Sequence, residues 1–235
     1  MLPLNPYESP NEAIDFAGTL YYVNPAKLSL SEHLRTTPSA LLAHWNWLTW
    51  KLGLRWGKLP TARAISLAEA KCSLEAVPDF IQGFLAEQIE IAKLHGFHEL
   101  MMSVNWDRSP YPTEIVLRML HSDPQIYLEM CLMRGDGLYQ LKHNVVSVAK
   151  AFRTFATSSG SPTFCRPPLC EADYLPNAPL PILLKRHLEW TRDFQESLRE
   201  IRELMDLEAV VQQLDDHYRQ FHVERGYWIP VGIEM

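Results

Sequence analysis

The sequence lacks the long apolar run that a membrane-spanning helix requires. No stretch reaches the roughly 18 apolar positions needed to cross a bilayer. The nearest candidate, residues 40–56, is interrupted by four polar or charged positions, His44, Asn46, Lys51 and Arg55. The N-terminal residues show no cationic start followed by an apolar core, so we expect no signal peptide. Together these absences predict a cytoplasmic protein.

The sequence also lacks the motifs that are typical of well-known chemistries. It contains no Gly-x-Ser-x-Gly elbow, no phosphate-binding glycine loop and no set of kinase motifs. Cysteine is scarce, and its four residues match neither a zinc-knuckle spacing nor a disulfide-rich scaffold: Cys72, Cys131, Cys165 and Cys170. We therefore predict no metal and no cofactor. An enzymatic function stays open, but a non-enzymatic one is favoured.

The chain also has no excess of positive charge. The formal net charge is −6 and the pI is about 5.8. This balance argues against a nucleic-acid partner, because a nucleic-acid-binding protein needs a basic face to neutralise phosphates. Hydrophobic residues make up 47% of the chain and charged residues 21%, values that are ordinary for a globular protein with a packed core.

The first 25 residues differ from the rest of the chain. They contain four prolines and no sustained hydrophobic period, so we predict an irregular N-terminal arm over residues 1–25. Thr19–Val23 is expected to pair as a short edge strand at the end of this arm. Residues 26–235 are predicted to form a single α+β domain.

Helix signals dominate the beginning of that domain. Thr37–Lys51 is predicted to be helical, with a capping residue before it and a proline in its first turn. Ser66–Leu74 opens with a capping box. Asp79–His95 is the strongest helix, and Gly96 ends it. Four of its apolar residues form one stripe, with Ile81 and Leu85 beside it: Phe80, Phe84, Ile91 and Leu94.

After Gly96 the chain becomes rich in β-branched and aromatic residues separated by short turns. Consecutive short connections imply antiparallel neighbours. Four strands and a shorter fifth are predicted: His98–Trp106, Glu114–His121, Gln125–Met133, Leu138–Phe155 and Pro162–Cys165. Arg134–Gly137 is the expected turn of the hairpin between the third and fourth strands.

The C-terminal third begins with a proline-stiffened link, Arg166–Pro181. The helical region Ile182–Val223 follows, and its apolar stripe shifts by two residues near Asp206, which favours a kink or two helices. Tyr227–Ile233 is expected to add an edge strand. The predicted fold is α+β, an antiparallel meander of four to five strands packed against N-terminal helices and a long, kinked C-terminal helical region. This region is expected to cover one sheet face and to leave the other open.

Tryptophan is concentrated in one short segment. Four of the seven tryptophans lie within twelve residues, and a helix there places Leu41, Trp45, Leu48 and Leu52 on one stripe beside a basic one. This pattern is typical of a helix in a membrane interface. The favoured alternative is a helix packed on the sheet or on a protein partner with half-buried tryptophans. The candidate membrane or partner surface consists of Trp45, Trp47, Trp50, Lys51 and Arg55.

Two further functions are weighed against membrane association. The first is a non-enzymatic interaction or scaffold protein, dimeric through the C-terminal helices or through the open sheet face. The second is a small-molecule-binding or enzymatic domain with a pocket between the sheet and the C-terminal helix. The residues that we expect to line such a pocket are His187, Arg153, Tyr127 and Tyr139.

Short motifs relate the chain to a group of bacterial proteins. The opening residues 5–10, Asn-Pro-Tyr-Glu-Ser-Pro, resemble the NPYxSP start of many uncharacterised bacterial proteins. Residues 77–190 also resemble a loosely defined group in which a helix ending in Gly-Phe, here Gly96-Phe97, precedes a meander and a helix with Leu183 and His187. The usual DGT-type turn is replaced here by Ser158–Ser161. The resemblance implies no activity and no catalytic residue.

Overall fold

The computed structural model describes residues 19–54, 61–64, 71–105, 111–135, 138–150, 153–162 and 165–230. Within these ranges the chain forms an α+β fold with a six-stranded sheet, a three-stranded sheet and five α-helices. The helices are α1 (Leu30–Thr36), α2 (Ala40–Lys51), α3 (Asp79–Leu94), α4 (Leu180–Thr191) and α5 (Leu204–Glu224). Short 3-10 turns occupy Pro25–Lys27, Leu74–Ala76 and Arg192–Ser197.

The large sheet confirms the predicted meander and extends it. Its strands, in spatial order, are β3 (Phe97–Asn105), β4 (Glu114–His121), β5 (Tyr127–Gly135), β6 (Leu138–Val148), β7 (Thr154–Ser158) and β8 (Cys170–Tyr174). Neighbours are antiparallel from β3 to β7, whereas β8 runs parallel to β7. The prediction of four to five purely antiparallel strands is therefore corrected to six strands in a mixed sheet.

Two sequence features explain this difference in strand count. The predicted strand Leu138–Phe155 is two strands, because the pairing of β6 with β7 ends at Val148 and Thr154 and the chain reverses between them. The proline-rich link holds its prolines on both sides of Cys170–Tyr174, so these five residues are free to pair as β8. Of the predicted strand Pro162–Cys165, residues 163 and 164 lie outside the described residues.

The small sheet joins the two ends of the described chain. It consists of β1 (Thr19–Val23) between β2 (Thr61–Ala64) and β9 (Trp228–Pro230), all antiparallel. Thr19–Val23 is therefore a central strand of this sheet and not the edge strand that we predicted. β9 confirms the edge strand expected near the C-terminus. Residues 1–18, the bulk of the predicted arm, lie outside the described residues.

Helices cover both faces of the large sheet. On one face, α3 and α4 pack on side chains such as Leu117 and Leu128. On the other face, α5 packs through Leu207 and Val211 on Tyr127 and its neighbours. The predicted C-terminal pair is thus two helices separated by residues 192–203, and they lie on opposite faces of the sheet. The expected open sheet face is already occupied by α5.

The orientation of α3 differs from the sequence pattern. Its buried side chains are Ile81, Leu85, Ile89 and Ala92. The predicted apolar stripe instead faces outward and forms what we call the α3 face, Phe80, Phe84, Ile91 and Leu94. The helix carries two adjacent apolar stripes, and burial of the smaller, aliphatic one allows closer packing on the sheet. The helix ends at Gly96, whose φ of +85° confirms the predicted glycine terminator.

Candidate functional site

Helix α2 presents an exposed apolar surface. It packs on α1 and the preceding 3-10 turn and buries only Ala43 and Thr49. Leu41 is 83% exposed and Trp45 60% exposed. With Leu48 and Leu52 they form what we call the α2 face: Leu41, Trp45, Leu48 and Leu52. Large contiguous apolar surfaces of this kind mark interaction sites in folded proteins.

The other predicted surface residues lie around this face. Trp47 and Trp50 are half-buried on the inner side of the helix, whereas Lys51 is exposed beside Leu48 and Leu52. Arg55 lies outside the described residues. The structure thus divides the tryptophan cluster, because Trp47 and Trp50 anchor α2 and Trp45 points outward.

The segment that contains α2 is free of acidic residues. Residues 33–68 hold five of the 22 lysines and arginines and none of the 28 acidic residues, so the rest of the chain has a formal charge of −11 (17 minus 28). This segregation of charge is visible in the sequence, but our sequence reasoning missed it because the net charge hides it. The apolar α2 face therefore lies in a basic segment of the chain.

The helix is nevertheless too short to cross a bilayer. None of the described helices combines sufficient length and apolarity to span a membrane.

A separate cavity of about 200 Å³ lies between α5 and the large sheet. Strands β5 to β7 provide its floor, α5 provides one wall, and the segment before β8 provides the other. Its lining residues are Tyr127, Glu129, Asn144, Val146, Thr154, Ala156, Arg166, Pro167, Cys170, Leu214, Asp215 and Tyr218. This is the place at which we expected a pocket, between the sheet and the C-terminal helix.

A buried polar network lies beside this floor. Arg118 on β4 donates from Nε to Glu129 Oε2 at 3.0 Å and from a terminal nitrogen to Ser103 Oγ at 3.3 Å. Glu129 Oε1 accepts from Asn144 Nδ2 at 3.1 Å. Arg118 and Glu129 are directly opposite each other on β4 and β5, so strand register alone forms this ion pair. The pair places a carboxylate and its counter-charge side by side within this sheet face.

Several ionisable groups around the cavity have raised pKa values. Asp215 keeps an exposed side towards solvent. The surrounding protein nevertheless reduces the hydration of its carboxylate and, together with the negative charge of Glu129, raises the pKa of Asp215 to about 6. Burial raises the pKa of Tyr218 to about 12 and that of Tyr127 still further. Burial also raises the pKa of the Cys131 thiol well above its usual value. This shift favours the neutral thiol over the thiolate, which is the nucleophilic form.

Of the four residues predicted to line a pocket, the structure places only Tyr127 there. His187 is fully buried on the opposite sheet face, where its ring nitrogens lie 2.9 Å from Ser147 Oγ and 3.1 Å from Thr157 Oγ1. Tyr139 donates to the carbonyl oxygen of Pro112 at 2.7 Å. Arg153 pairs with Glu171 and lies 4.9 Å above the Phe155 ring. These three residues do not converge on the cavity.

Sequence reasoning missed most of the residues that do line it. Arg166 and Asp215 come from segments that we predicted to be a proline-stiffened link and a helical region, without a role in a site. Only their proximity in the folded chain gives them a common role. Within the described ranges, no group of three histidine, cysteine or acidic side chains is arranged to hold a metal ion. All four cysteines are free thiols.

Comparison with known proteins yields no relative. No protein-family model matches the chain, and neither a curated protein nor a solved structure shows significant similarity to it. The resemblance to an uncharacterised bacterial group therefore stays a prediction. Function has to be argued from the α2 face and from the cavity alone.

Proposed function

We propose that this chain is a non-enzymatic interaction protein that attaches to anionic lipid surfaces through the α2 face. The exposed Leu41, Trp45, Leu48 and Leu52 carry this proposal, because such a surface gains free energy by leaving water. The same exposure argues against a helix packed on the sheet, which is one half of the alternative that we preferred from the sequence, and leaves a protein partner open.

Charge supports lipid as the partner of the α2 face. The exposed cation Arg35 lies in the last turn of α1, just before α2, and the exposed cation Lys51 is the last residue of α2. Each cation near an anionic membrane contributes about 1 kcal/mol to binding. The remainder of the chain is acidic, so repulsion orients the protein with α2 toward the lipid. Trp45 suits the interface because tryptophan has an apolar body and a polar N–H group.

Co-sedimentation with vesicles tests the proposal. The full chain is expected to sediment with phosphatidylcholine–phosphatidylserine vesicles and to remain largely in the supernatant with phosphatidylcholine alone. Two variants should each reduce the partitioning of the protein onto anionic vesicles about tenfold or more. One is the double variant Trp45→Ala with Leu48→Ala, and the other is Lys51→Glu. Raised salt should weaken binding of the wild-type chain, because exposed charges are screened.

The α3 face supplies a matched control. Phe80 is 61% exposed and Leu94 84% exposed, yet this helix carries exposed acidic residues. Phe80→Ala with Leu94→Ala removes a similar apolar area without touching the basic segment, and it should leave sedimentation unchanged. Equal loss in both double variants, or no sedimentation of the wild-type chain with anionic vesicles, would show that α2 is not a lipid anchor.

The α3 face also favours a second candidate function, self-association into a scaffold. Its apolar residues are flanked by the exposed acids Asp79, Glu87 and Glu90, which complement the basic segment that contains α2. Pairing of α2 from one copy with α3 from the next is a head-to-tail contact that builds rings or filaments. Light scattering distinguishes the two functions. An average particle mass that grows with protein concentration supports the scaffold, if Phe80→Ala with Leu94→Ala abolishes this growth. The same double variant should leave lipid binding intact.

A further inference from the structure

The cavity beside α5 contains polar groups that make no hydrogen bond within the described chain. The Tyr127 ring is almost entirely buried, and its hydroxyl group has no partner there. The Asp215 carboxylate accepts no hydrogen bond there either. Arg166 donates from Nε to Tyr174 Oη at 2.9 Å, which leaves its two terminal nitrogens available. Unused polar groups that converge on a cavity are the usual sign of a ligand site.

These groups are arranged with opposite charges on opposite sides. Arg166 belongs to the segment before β8, and Asp215 belongs to α5. Both line the cavity, yet they form no ion pair with each other. The rest of the lining includes the rings of Tyr127 and Tyr218 and the apolar floor side chains such as Val146. An occupant would therefore meet a cation at one end, an anion at the other and aromatic and aliphatic carbon between.

The size of the cavity limits the occupant. At about 200 Å³ it falls below the roughly 300–1,000 Å³ of pockets for drug-sized ligands. A nucleotide or a folded peptide segment is too large for it. A single small molecule with two separated charges matches both its volume and its charge pattern.

We propose that this cavity binds a free α-amino acid or a closely related small zwitterion. The carboxylate of the ligand pairs with the terminal nitrogens of Arg166, a planar fork that suits a carboxylate. The ammonium group lies against the Asp215 carboxylate and the faces of the tyrosine rings, which attract cations. The side chain of the amino acid lies on the apolar floor. This site is independent of the α2 face and goes beyond lipid attachment.

The charge state of Asp215 makes the binding sensitive to pH. Its carboxylate has to be ionised to hold an ammonium group, and its pKa in the empty site is raised to about 6. The charged groups around it are Arg118 on β4, Glu129 on β5, and Asp216 and Arg219 on α5. Affinity should therefore fall as the pH drops below about 6, since the free site is then protonated.

Ligand-observed NMR with the full chain, in the absence of lipid, tests the proposal. The twenty L-amino acids are the probes, and titration calorimetry follows any hit. At least one amino acid should bind with a dissociation constant at or below the millimolar range. Its decarboxylated analogue, an amine, and its deaminated analogue, a carboxylic acid, should each bind about tenfold more weakly or worse.

Three substitutions complete the test. Asp215→Asn and Arg166→Gln should each weaken binding about tenfold or more, with the far-ultraviolet dichroism unchanged. Asp216→Asn, the neighbouring acid that pairs with Arg219 outside the cavity lining, should leave binding unchanged. No binding by any of the twenty probes overturns the proposal. So does binding that both cavity substitutions leave intact, or an amine analogue that binds as tightly as the amino acid.

Discussion

Glu32 and Arg225 are 193 positions apart in the sequence and form a bidentate ion pair, with Oε1 and Oε2 accepting from two guanidinium nitrogens at 2.9 and 2.8 Å. The Glu32 side chain is completely buried. Its carboxylate also accepts from the backbone N–H groups of Ser29 and Cys165. This one side chain thus connects α1, the segment before β8 and the end of α5.

Replacement of Glu32 should therefore destabilise the whole fold. Glu32→Gln leaves the Arg225 guanidinium without its counter-charge, and loss of one partner of a buried pair costs about 3–5 kcal/mol. The exposed pair of Glu200 with Arg202 provides the control, because Glu200→Gln should change the free energy of unfolding by less than about 1 kcal/mol. Chemical denaturation measures both. Equal, small changes in the two variants would contradict a structural role for the buried pair.

Acid should remove the stabilisation that the pair of Glu32 with Arg225 provides. The hydrogen bonds from Arg225 and from two backbone amides outweigh the cost of burial and hold the pKa of Glu32 well below its ordinary value of 4.5. The unfolded chain therefore binds a proton first as the pH falls. The stabilisation is complete above pH 4.5 and is lost progressively at lower pH.

Two glycines in and after α3 should respond in opposite directions to alanine. Gly96 has a φ of +85°, and an added Cβ atom would lie 3.1 Å from His121 Nε2. Gly96→Ala should therefore cost about 1–2 kcal/mol. Gly83 lies inside the helix with nothing within 4 Å of an added Cβ atom, so Gly83→Ala should stabilise the protein by about 0.5–1 kcal/mol. Thermal unfolding measures both, and a gain in stability from Gly96→Ala would refute the assignment.

A third prediction concerns His187, which is neutral in the fold. Ser147 Oγ already donates to the Gln125 carbonyl oxygen at 2.7 Å, so it accepts from His187 Nε2, and Thr157 donates to Nδ1. Burial lowers the pKa of His187 from its ordinary value of 6.5 to about 4. Between these values the unfolded chain binds the proton and the folded chain does not, so acid favours unfolding.

The free energy of unfolding should therefore fall by about 2 kcal/mol through His187 alone between about pH 7 and about pH 5. In denaturation experiments across this pH range, the free energy of unfolding should depend less steeply on pH in His187→Gln than in the wild-type chain. The variant should keep part of the pH dependence, because the pKa of buried His222 is likewise lowered to about 4. Exposed His217 serves as the control, and His217→Gln should keep the full dependence. An unchanged slope in His187→Gln would disprove the assignment.

Local patterns predicted much of this fold because they depend on short-range chemistry. Glu114–His121 was predicted as a strand with its observed bounds, since a short apolar run between two turns specifies it. The end of α3 at Gly96 follows from a single residue that tolerates a positive φ. The hairpin of β5 and β6 follows in the same way, with Gly135 opposite Leu138 in the observed register.

Features that depend on distant contacts could not be predicted in this way. The parallel pairing of β8 with β7 is specified by neither strand alone. The choice between two adjacent apolar stripes on α3 depends on which one fits the sheet, so Phe84 faces outward and Leu85 inward. Asp215 lines the cavity because α5 packs on the large sheet. The opposite placement of α4 and α5 likewise depends on residues 192–203 between them. Their apolar spacing continues the helical period, yet the chain leaves the α-helix there.

The ion pair of Arg118 with Glu129 gives a final prediction. The Arg118 side chain is 8% exposed, and its charge is balanced by Glu129 across β4 and β5. Arg118→Met should destabilise the protein by about 3–5 kcal/mol, because Glu129 is then left charged inside the sheet face. Adding Glu129→Met should restore much of that loss, since an apolar pair of similar size packs without a desolvation cost.

A double-mutant cycle measured by chemical denaturation separates the two contributions. The matched control is Arg202→Met, because its pair with Glu200 is largely exposed and should contribute less than about 1 kcal/mol. If the double variant were less stable than Arg118→Met alone, Glu129 would contribute to the fold independently of Arg118. Its bond with Asn144 would then be the contact that holds β5 to β6 on this face.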